Sequence, residues 1–360
     1  MTERQPLILI VNPGSTSTKL ALYQGQELLE EENLRHSLED LARFTTVVEQ
    51  LDYRSAEVSK WVSQYIRLEQ LQLVMARGGF LHPVESGIYA VNEEMLTDLR
   101  EARYGEHASN LGALIAYSIA HPYGIGVYIA DPIVVDEMDD LARFSGIPEL
   151  ERKSHLHALN VRAVSMAVAR QLGQTLAQSR FIVAHLGSGT SVVAVRDGRM
   201  VDVNNANNAG PFSAERAGSL PSFDLVRLCF SKTFTESKLL ARITKNGGLY
   251  AYLGSKDLRE IEARVEAGDR YAATVVDAMA YQTAKEIGAM ATVLQGDVQR
   301  VILTGGMAYS RRVVDGIRQR VEFLAPVEVI PGEGEMEALA AAGWRVYTEI
   351  ESPRLYRREP

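Results

Sequence analysis

Two stretches, one in each half of the chain, repeat the same pattern of small residues between apolar runs. From Asn12 the sequence reads NPGSTSTKLALYQGQ and from His185 it reads HLGSGTSVVAVRDGR. Laid over each other without a gap, Gly14 meets Gly187, Ser15 meets Ser188, Ser17 meets Thr190, Ala21 meets Ala194 and Gly25 meets Gly198. Apolar runs Leu7 to Val11 and Phe181 to Ala184 lead in, and Leu20 to Tyr23 and Val192 to Val195 lead out. Each copy therefore reads as strand, tight Gly/Ser/Thr turn, strand and second turn, with Gln24-Gly25 and Asp197-Gly198 as two-residue hairpin signals. A loop of this composition turns backbone N–H groups and hydroxyls toward whatever lies above it, and an oxyanion satisfies such donors best. A single loop needs no more explanation than an ordinary hairpin. Two in matched register predict a duplicated architecture with a polyphosphate held between the copies.

Composition narrows the classes. The 360 residues exceed one ordinary core and predict two domains, and 46% hydrophobic residues is normal for a globular protein. A formal net charge of -8 with no basic stripe excludes a nucleic-acid binder and leaves small molecules as the expected partners. The one cysteine, Cys229, forms neither an intrachain disulfide nor a cysteine-based zinc site, and its apolar neighbours predict a buried filler in a reducing compartment. The polar start and the short Leu7 to Val11 run, broken by Pro13, do not read as a signal segment, and no apolar stretch approaches a membrane span. A cytoplasmic protein is expected.

Along the first half, helices are predicted at about Glu39 to Gln50 and Ser55 to Leu68. A strand at Leu71 to Ala76 ends in Arg77-Gly78-Gly79, an Asn92-capped helix runs to Ala102, a further helix spans Ser109 to Ala120, and a strand at Ile125 to Ala130 ends at Asp131-Pro132. After a turn at Gly146-Ile147-Pro148 a long helix starts near His157. The second half predicts helices at Ser222 to Phe230, Thr235 to Thr244, Lys256 to Ala267 and Arg270 to Leu294. A strand at Arg300 to Thr304 then turns at Gly305-Gly306 into a helix to about Phe323. A strand at Val327 to Ile330 and a last helix from Glu335 to Glu349 complete the chain. The expectation is an α/β protein of two similar domains, each a β-β-β-α-β-α-β unit. The boundary is placed near Leu150, giving residues 1–150 and 151–344, with 345–360 returning to the first domain. That plan is the plan of the actin, heat-shock chaperone and acetate and sugar kinase superfamily, which includes motors and filaments as well as kinases.

Nine segments, in order and over nearly the whole chain, point further. NPGSTSTK at 12–19, ARGG at 76–79, EHASNLG at 106–112, DPIVVDE at 131–137, HALN at 157–160, HLGSGTS at 185–191, GPFSAERAGSLP at 210–221, LTGGMAYS at 303–310 and PGEGEMEALA at 331–340 closely resemble the butyrate kinases of the acetokinase family. Acetate kinases are longer, carry HGTSH where His157-Ala158-Leu159-Asn160 stands, and have an extra pair of residues before the Gly-Gly that follows their substrate arginine. The resemblance implies phosphoryl transfer between ATP and a short-chain fatty acid, with magnesium as the metal and a homodimer or higher homo-oligomer as the assembly. Kinases of acetate, propionate or a branched acid are the enzyme alternatives. A nucleotide-driven interaction protein of the actin kind is the alternative from another class, and it has no need of an arginine fork for a second carboxylate.

Transfer to a carboxylate requires an in-line approach and positive charge around the moving phosphoryl group, and it requires no general base because the acceptor is already ionised. Arg77 stands at a strand end before two glycines, and the resemblance implies that it grips the substrate carboxylate, a planar group that suits its bidentate fork. By resemblance Arg216 stabilises charge on the phosphoryl group, with pairing to Glu215 as the competing reading. His157 and His185 match two active-site histidines, His157 being preferred to His155 for its place before Ala-Leu-Asn, and His107 matches a third that lines the acyl site. The resemblance implies that Asp131 orients the arginine and supports the metal, with a turn aspartate before Pro132 as the competing reading, whereas Asp136, Glu137, Asp139 and Asp140 read as a solvated acidic run. Asn12 and Glu335 are assigned to the metal, directly or through its waters, with Glu333 and Glu337 as alternatives to Glu335. Phosphate contacts are assigned to Asn12, Gly14, Ser15, Ser17, Lys19, His185, Gly187, Ser188, Gly189 and Thr190. The adenosine end of ATP is assigned to Gly305, Gly306 and Met307.

Overall fold

The protein, seen as a computed structural model, is described for residues 5–358. Its strands are β1 (Leu7–Pro13), β2 (Ser17–Gln24), β3 (Glu27–Arg35), β4 (Leu73–Arg77), β5 (Ile88–Ala90), β6 (Gly126–Ala130), β7 (Arg180–Leu186), β8 (Thr190–Arg196), β9 (Arg199–Val203), β10 (Arg300–Gly305), β11 (Val327–Pro331) and β12 (Arg354–Leu355). They form two sheets in two compact units. One unit holds the chain up to Val135 and from Gly334 onward, and the other is Asp136–Glu333.

The first sheet has the order β12-β5-β6-β4-β1-β2-β3 and the second β11-β10-β7-β8-β9. Five strands of the first, β6-β4-β1-β2-β3, thus repeat the order of the second. In each unit three strands are parallel neighbours, β1, β4 and β6 or β7, β10 and β11, and the repeated hairpin closes the carboxyl end of β1 or β7. Such strands are covered on both faces, so they read as unbroken apolar runs. Successive β1 side chains point to opposite faces: Leu9 and Val11 join the core formed with helices 51–62 and 111–120, while Ile8 lies under the last helix, Glu335–Tyr347. Gly343 makes that last contact possible, because a Cβ there would stand 2.9 Å from Met75 Cγ and 3.1 Å from Ile8 Cγ2.

The division falls at Val135, earlier than the Leu150 expected. The acidic run is the reason: Asp140 is exposed as expected, but Glu137 and Asp139 tie the segment to the second sheet and Asp136 is bound within it. Glu137 accepts from Met200 N at 2.9 Å, Asp139 N donates to Val201 O at 2.9 Å and its carboxylate meets Arg196 at 2.6 Å, and Asp136 is gripped by Arg143 at 2.8 Å. Arg152 adds a 2.8 Å bond to Asp202. The return to the first unit likewise begins at Gly334, earlier than the residue 345 expected, because the whole last helix packs on β1 and β4.

Other differences have local causes. The expected helix at Glu39 to Gln50 is a single turn, Leu38–Leu41, and a short 3-10 turn, Val48–Gln50, and the next helix is Leu51–Val62. Strand β3 carries Glu27, Glu30, Glu31 and Glu32 on an exposed sheet edge, where a charged sequence guards against further pairing and hides the strand from an apolar pattern. Cys229 is exposed, on a helix (Ser222–Phe230) with no buried residue. The Asn92 cap is as expected, accepting from Met95 N at 2.9 Å, and the long helix runs Arg270–Val293. Among the described residues, no helix is long and apolar enough to cross a membrane.

The two hairpins are not in the gapless register of their sequences. Pro13 pairs with Thr18 across the first loop, whereas Leu186 pairs with Thr190 across the second, so the second loop is one residue shorter. Beyond the loops the counterpart of Thr190 is Thr18, not Ser17. The later features keep that one-residue offset. The bulge in the next pairing falls at Leu22/Tyr23 and at Ala194/Val195, and the turns are Gly25-Gln26 and Asp197-Gly198. Positive φ values of 63° at Gly25, 53° at Asp197 and 84° at Gly198 fit tight hairpin turns.

Candidate active site

In the first unit, Asn12, Arg77 and Asp131 lie at or just past the carboxyl ends of β1, β4 and β6, so three predicted site residues reach one edge of the sheet through strand pairing alone. Glu335 joins them from the first turn of the last helix. Its Oε2 accepts from Asn12 Nδ2 at 2.8 Å and from Arg77 Nη1 at 3.1 Å, and Arg77 Nη1 also points to Asn12 Oδ1 at 3.4 Å. Of the three glutamates considered, Glu335 is the one in this cluster. Glu333 lies in the other unit, and Glu337 acts instead on Tyr23, whose hydroxyl is pushed up to about 12 by burial and then by that charge.

Arg77 is held by close backbone contacts. A Cβ on Gly78 would lie 2.5 Å from Pro132 Cβ, and one on Gly79 would lie 2.6 Å from Asn110 Cα. Gly112 lets the next helix approach the carbonyl of Arg77 itself. Asn110 locks the corner, accepting from Phe80 N at 2.8 Å and donating to Gly105 O at 2.9 Å. Asp131 is buried and has φ +41°, a left-handed conformation that Asp tolerates better than most residues. It exchanges two bonds with Gly87, accepting from Gly87 N at 2.7 Å and donating its own N–H to Gly87 O at 3.0 Å. His107 caps the turn before Asn110: its Nδ1 accepts from Ser109 N at 3.2 Å, which puts the proton of the neutral ring on Nε2, and its ring meets Phe80 edge-on.

The first hairpin loop exposes Ser15 and Thr16, closed by a 2.8 Å bond from Gly14 N to Ser17 O, and Lys19 is exposed on β2 opposite Asn12. Beneath it stands a residue that sequence reasoning missed. Arg54, fully buried on helix 51–62, donates to the carbonyls of Gly14, Ser15 and Ser17 at 2.9, 3.0 and 3.1 Å. On an amphipathic helix it reads as one surface charge among several, and no motif marks it.

In the second unit, His185 lies near the end of β7 and His157 precedes the helix Ala158–Gln171; their rings stack at 4.0 Å, 15° from parallel. Asn160 orients His185. Its Nδ2 donates to Glu333 O at 2.5 Å, so its Oδ1 accepts at 2.8 Å and the His185 proton is on Nδ1. Ser191 orients His157: its Oγ accepts from His157 N at 3.3 Å and lies 2.9 Å from Nδ1, an arrangement that keeps the ring proton on Nε2 when the hydroxyl donates. The neighbouring His155 is fixed through its carbonyl to Ala206 N.

The second hairpin loop, Gly187 to Gly189, is held from the Arg216 loop, where Ser213 Oγ donates to Ser188 O at 2.5 Å. Thr190 is buried with no hydrogen-bond partner for its hydroxyl among the described residues. Gly189 is glycine because a Cβ would fall on the Arg216 guanidinium. Arg216 does not pair with Glu215, which binds Lys256 at 2.9 Å. Its Nη1 donates to Ala206 O at 2.9 Å, its Nε is buried without a partner among the described residues, and burial lowers its pKa from the ordinary value against the pull of Glu215. At the end of β10, Gly305 has φ +88° and fits against the backbone of Leu186, with a mutual bridge to Gly332 at 3.0 Å. Met307 joins the apolar core, so any nucleotide contact it makes is through its backbone, whereas a Cβ on Gly306 meets open space.

Two sheets that share one five-strand order, each carrying a small-residue hairpin at the carboxyl end of its first strand, define an actin-like ATPase fold. The solved acetate kinase of Porphyromonas gingivalis superposes with a TM-score of 0.75 at 20% identity, covering 95% of this chain and all of that one. Among curated proteins, the probable butyrate kinase 2 of Caldanaerobacter subterraneus subsp. tengcongensis is 49% identical over 97% of this chain and 99% of its own length, and butyrate kinase 2 of Clostridium acetobutylicum is 46% identical over the same shares. The model of the acetokinase family matches residues 145–329. This chain belongs to the acetokinase family.

Proposed function

We propose that the chain is a butyrate kinase, which transfers the γ-phosphoryl group of ATP reversibly to the carboxylate of butyrate and gives ADP and butyryl phosphate. The observation that carries this reading is the 49% identity over nearly the full length to a probable butyrate kinase, with Arg77 set at a strand end as the fork the acceptor needs. A carboxylate oxygen attacks the γ-phosphorus in line, and the bond to the β,γ-bridging oxygen breaks with its electron pair leaving on ADP. No proton has to be removed.

Arg77 meets its protein partners through Nη1 among the described residues, and the rest of its planar fork suits a carboxylate. Arg216 supplies desolvated positive charge for the equatorial oxygens, and His157 can donate from Nε2. His185 keeps its Nδ1 proton on Asn160 and presents Nε2 on the other side of the ring. The hairpin loops bind phosphate, and the turn at Gly305-Gly306 receives adenosine. Asp131 acts by fixing the Gly87 segment at the carboxyl end of β6. Magnesium fits the donors of the first unit, where one carboxylate and one amide, Glu335 and Asn12, suit an ion that arrives on phosphates and keeps several waters. When bound it neutralises phosphate charge.

The reading includes a cytoplasmic homo-oligomer. Exposed apolar side chains on the second unit, Leu141 and Phe144 on one segment and Phe223 and Phe230 on another, support the assembly. An acceptor panel tests the activity: with ATP and magnesium, butyrate is expected to release ADP faster than acetate, and glycerol or glucose to release none above background. A hydroxyl acceptor matching butyrate would move the chain to the sugar-kinase branch.

A further inference from the structure

Arg54 is a fully buried guanidinium that no carboxylate among the described residues balances. Besides the carbonyls of Gly14, Ser15 and Ser17, its partners are Gln50 Oε1 at 2.8 and 3.0 Å and Thr18 Oγ1 at 3.3 Å, all of them neutral. Burial pulls its pKa down to about 10, so it keeps its charge at neutral pH. Tyr53 is the ionisable group that acts on Arg54, and burial raises its hydroxyl; His36 bonds Thr18 through Nε2 at 2.9 Å and is pushed down to about 4 by burial and then by Arg54. It is neutral at working pH. A buried cation without a counter-charge is costly, and neutral acceptors satisfy its hydrogen bonds without supplying that charge.

The loop geometry shows where the counter-charge belongs. In a trans peptide the N–H of a residue points opposite to the carbonyl of the one before. With the carbonyls of Gly14 and Ser15 drawn down onto Arg54, the N–H groups of Ser15 and Thr16 turn the other way, toward the side where both residues are exposed. The same clamp therefore aims two donors outward and places a positive charge behind them.

We propose that Arg54 is a positioning residue for a phosphoryl oxyanion bound at the first hairpin: it fixes the loop with its amides outward, and the anion balances its charge. This inference rests on the kinase reading and extends it to a side chain that does not touch the substrate. The oxyanion belongs either to ATP or to the acyl phosphate.

The test compares dissociation constants of the wild type, Arg54→Met and Arg54→Lys for adenosine, ATP and butyryl phosphate, measured by calorimetry without turnover. Arg54→Met is expected to weaken ATP, butyryl phosphate or both by thirtyfold or more while adenosine stays within twofold, and Arg54→Lys, which keeps the charge and loses the fork, to weaken them about fivefold. Loss confined to ATP assigns the oxyanion to the nucleotide, and loss confined to butyryl phosphate assigns it to the acyl phosphate. Either supports the proposal. An equal loss for adenosine marks a merely structural residue and overturns it, as does unchanged phosphate affinity. Should Arg54→Met not fold, the ratio of ATP to adenosine affinity in Arg54→Lys decides alone, an unchanged ratio overturning the proposal. A wild type that binds no ATP refutes the kinase reading instead.

Discussion

Arg216→Ala is expected to lower kcat about a thousandfold, ~4 kcal/mol of transition-state stabilisation, with the KM for ATP changed little. The size follows from the surroundings of the guanidinium. It is desolvated, its Nε has no protein partner among the described residues, and the adjacent acid is engaged by Lys256. Charge held ready in this way acts on whatever negative charge develops nearby, and little of its effect is spent on the protein. Arg216→Lys should recover only a small part, because an ammonium cannot bond Ala206 O and present a planar face together. Steady-state rates with saturating butyrate are the check. Turnover within tenfold of wild type in the alanine variant would remove Arg216 from the reaction.

Arg77→Ala is expected to reduce kcat/KM for butyrate by a factor on the order of 10³, through the loss of a charged bidentate contact, while ATP still binds. The variant also leaves Glu335 with Asn12 as its remaining partner of the pair, so the carboxylate gains freedom where the magnesium reading needs it held. Arg77→Lys is expected to stay near the alanine value, since a point charge cannot serve Asn12, Glu335 and a planar carboxylate at once. Binding of ATP by calorimetry separates the two substrates. If both variants kept butyrate kinetics and lost ATP instead, Arg77 would belong to the nucleotide and the acceptor would need another anchor.

Where side chains work through apolar patterning or turn chemistry, the chain could be read directly. The unbroken runs of β1, β4, β6, β7 and β10, the Asn92 cap and the Gly-Gly after Arg77 all follow from local rules, and strand pairing then brings Asn12, Arg77 and Asp131 together without further information. What escaped depends on partners distant in sequence. The third strand of the expected unit has no bounds in the sequence, because charged β3 on the sheet edge carries no apolar pattern, and the aspartates at 136 and 139 are indistinguishable in sequence from surface charges until Arg143 and Arg196 are seen against them. The gapless match of the hairpins was right about their kinship and one residue out beyond the loop, because a match of small residues does not count loop length. Arg54 is the clearest case. Its role comes from the carbonyls of a loop some forty positions away, as the 40-residue separation from Gly14 states, and a helix pattern cannot reveal them.

The central claim, that the acceptor is a short-chain carboxylate and the product an acyl phosphate, is tested most directly by trapping. Purified protein with ATP, magnesium, butyrate and hydroxylamine should form butyrohydroxamate in step with ADP, and Arg77→Ala should lose both together. Release of ADP with butyrate present but without hydroxamate would show that the phosphoryl group goes elsewhere, and would contradict the account.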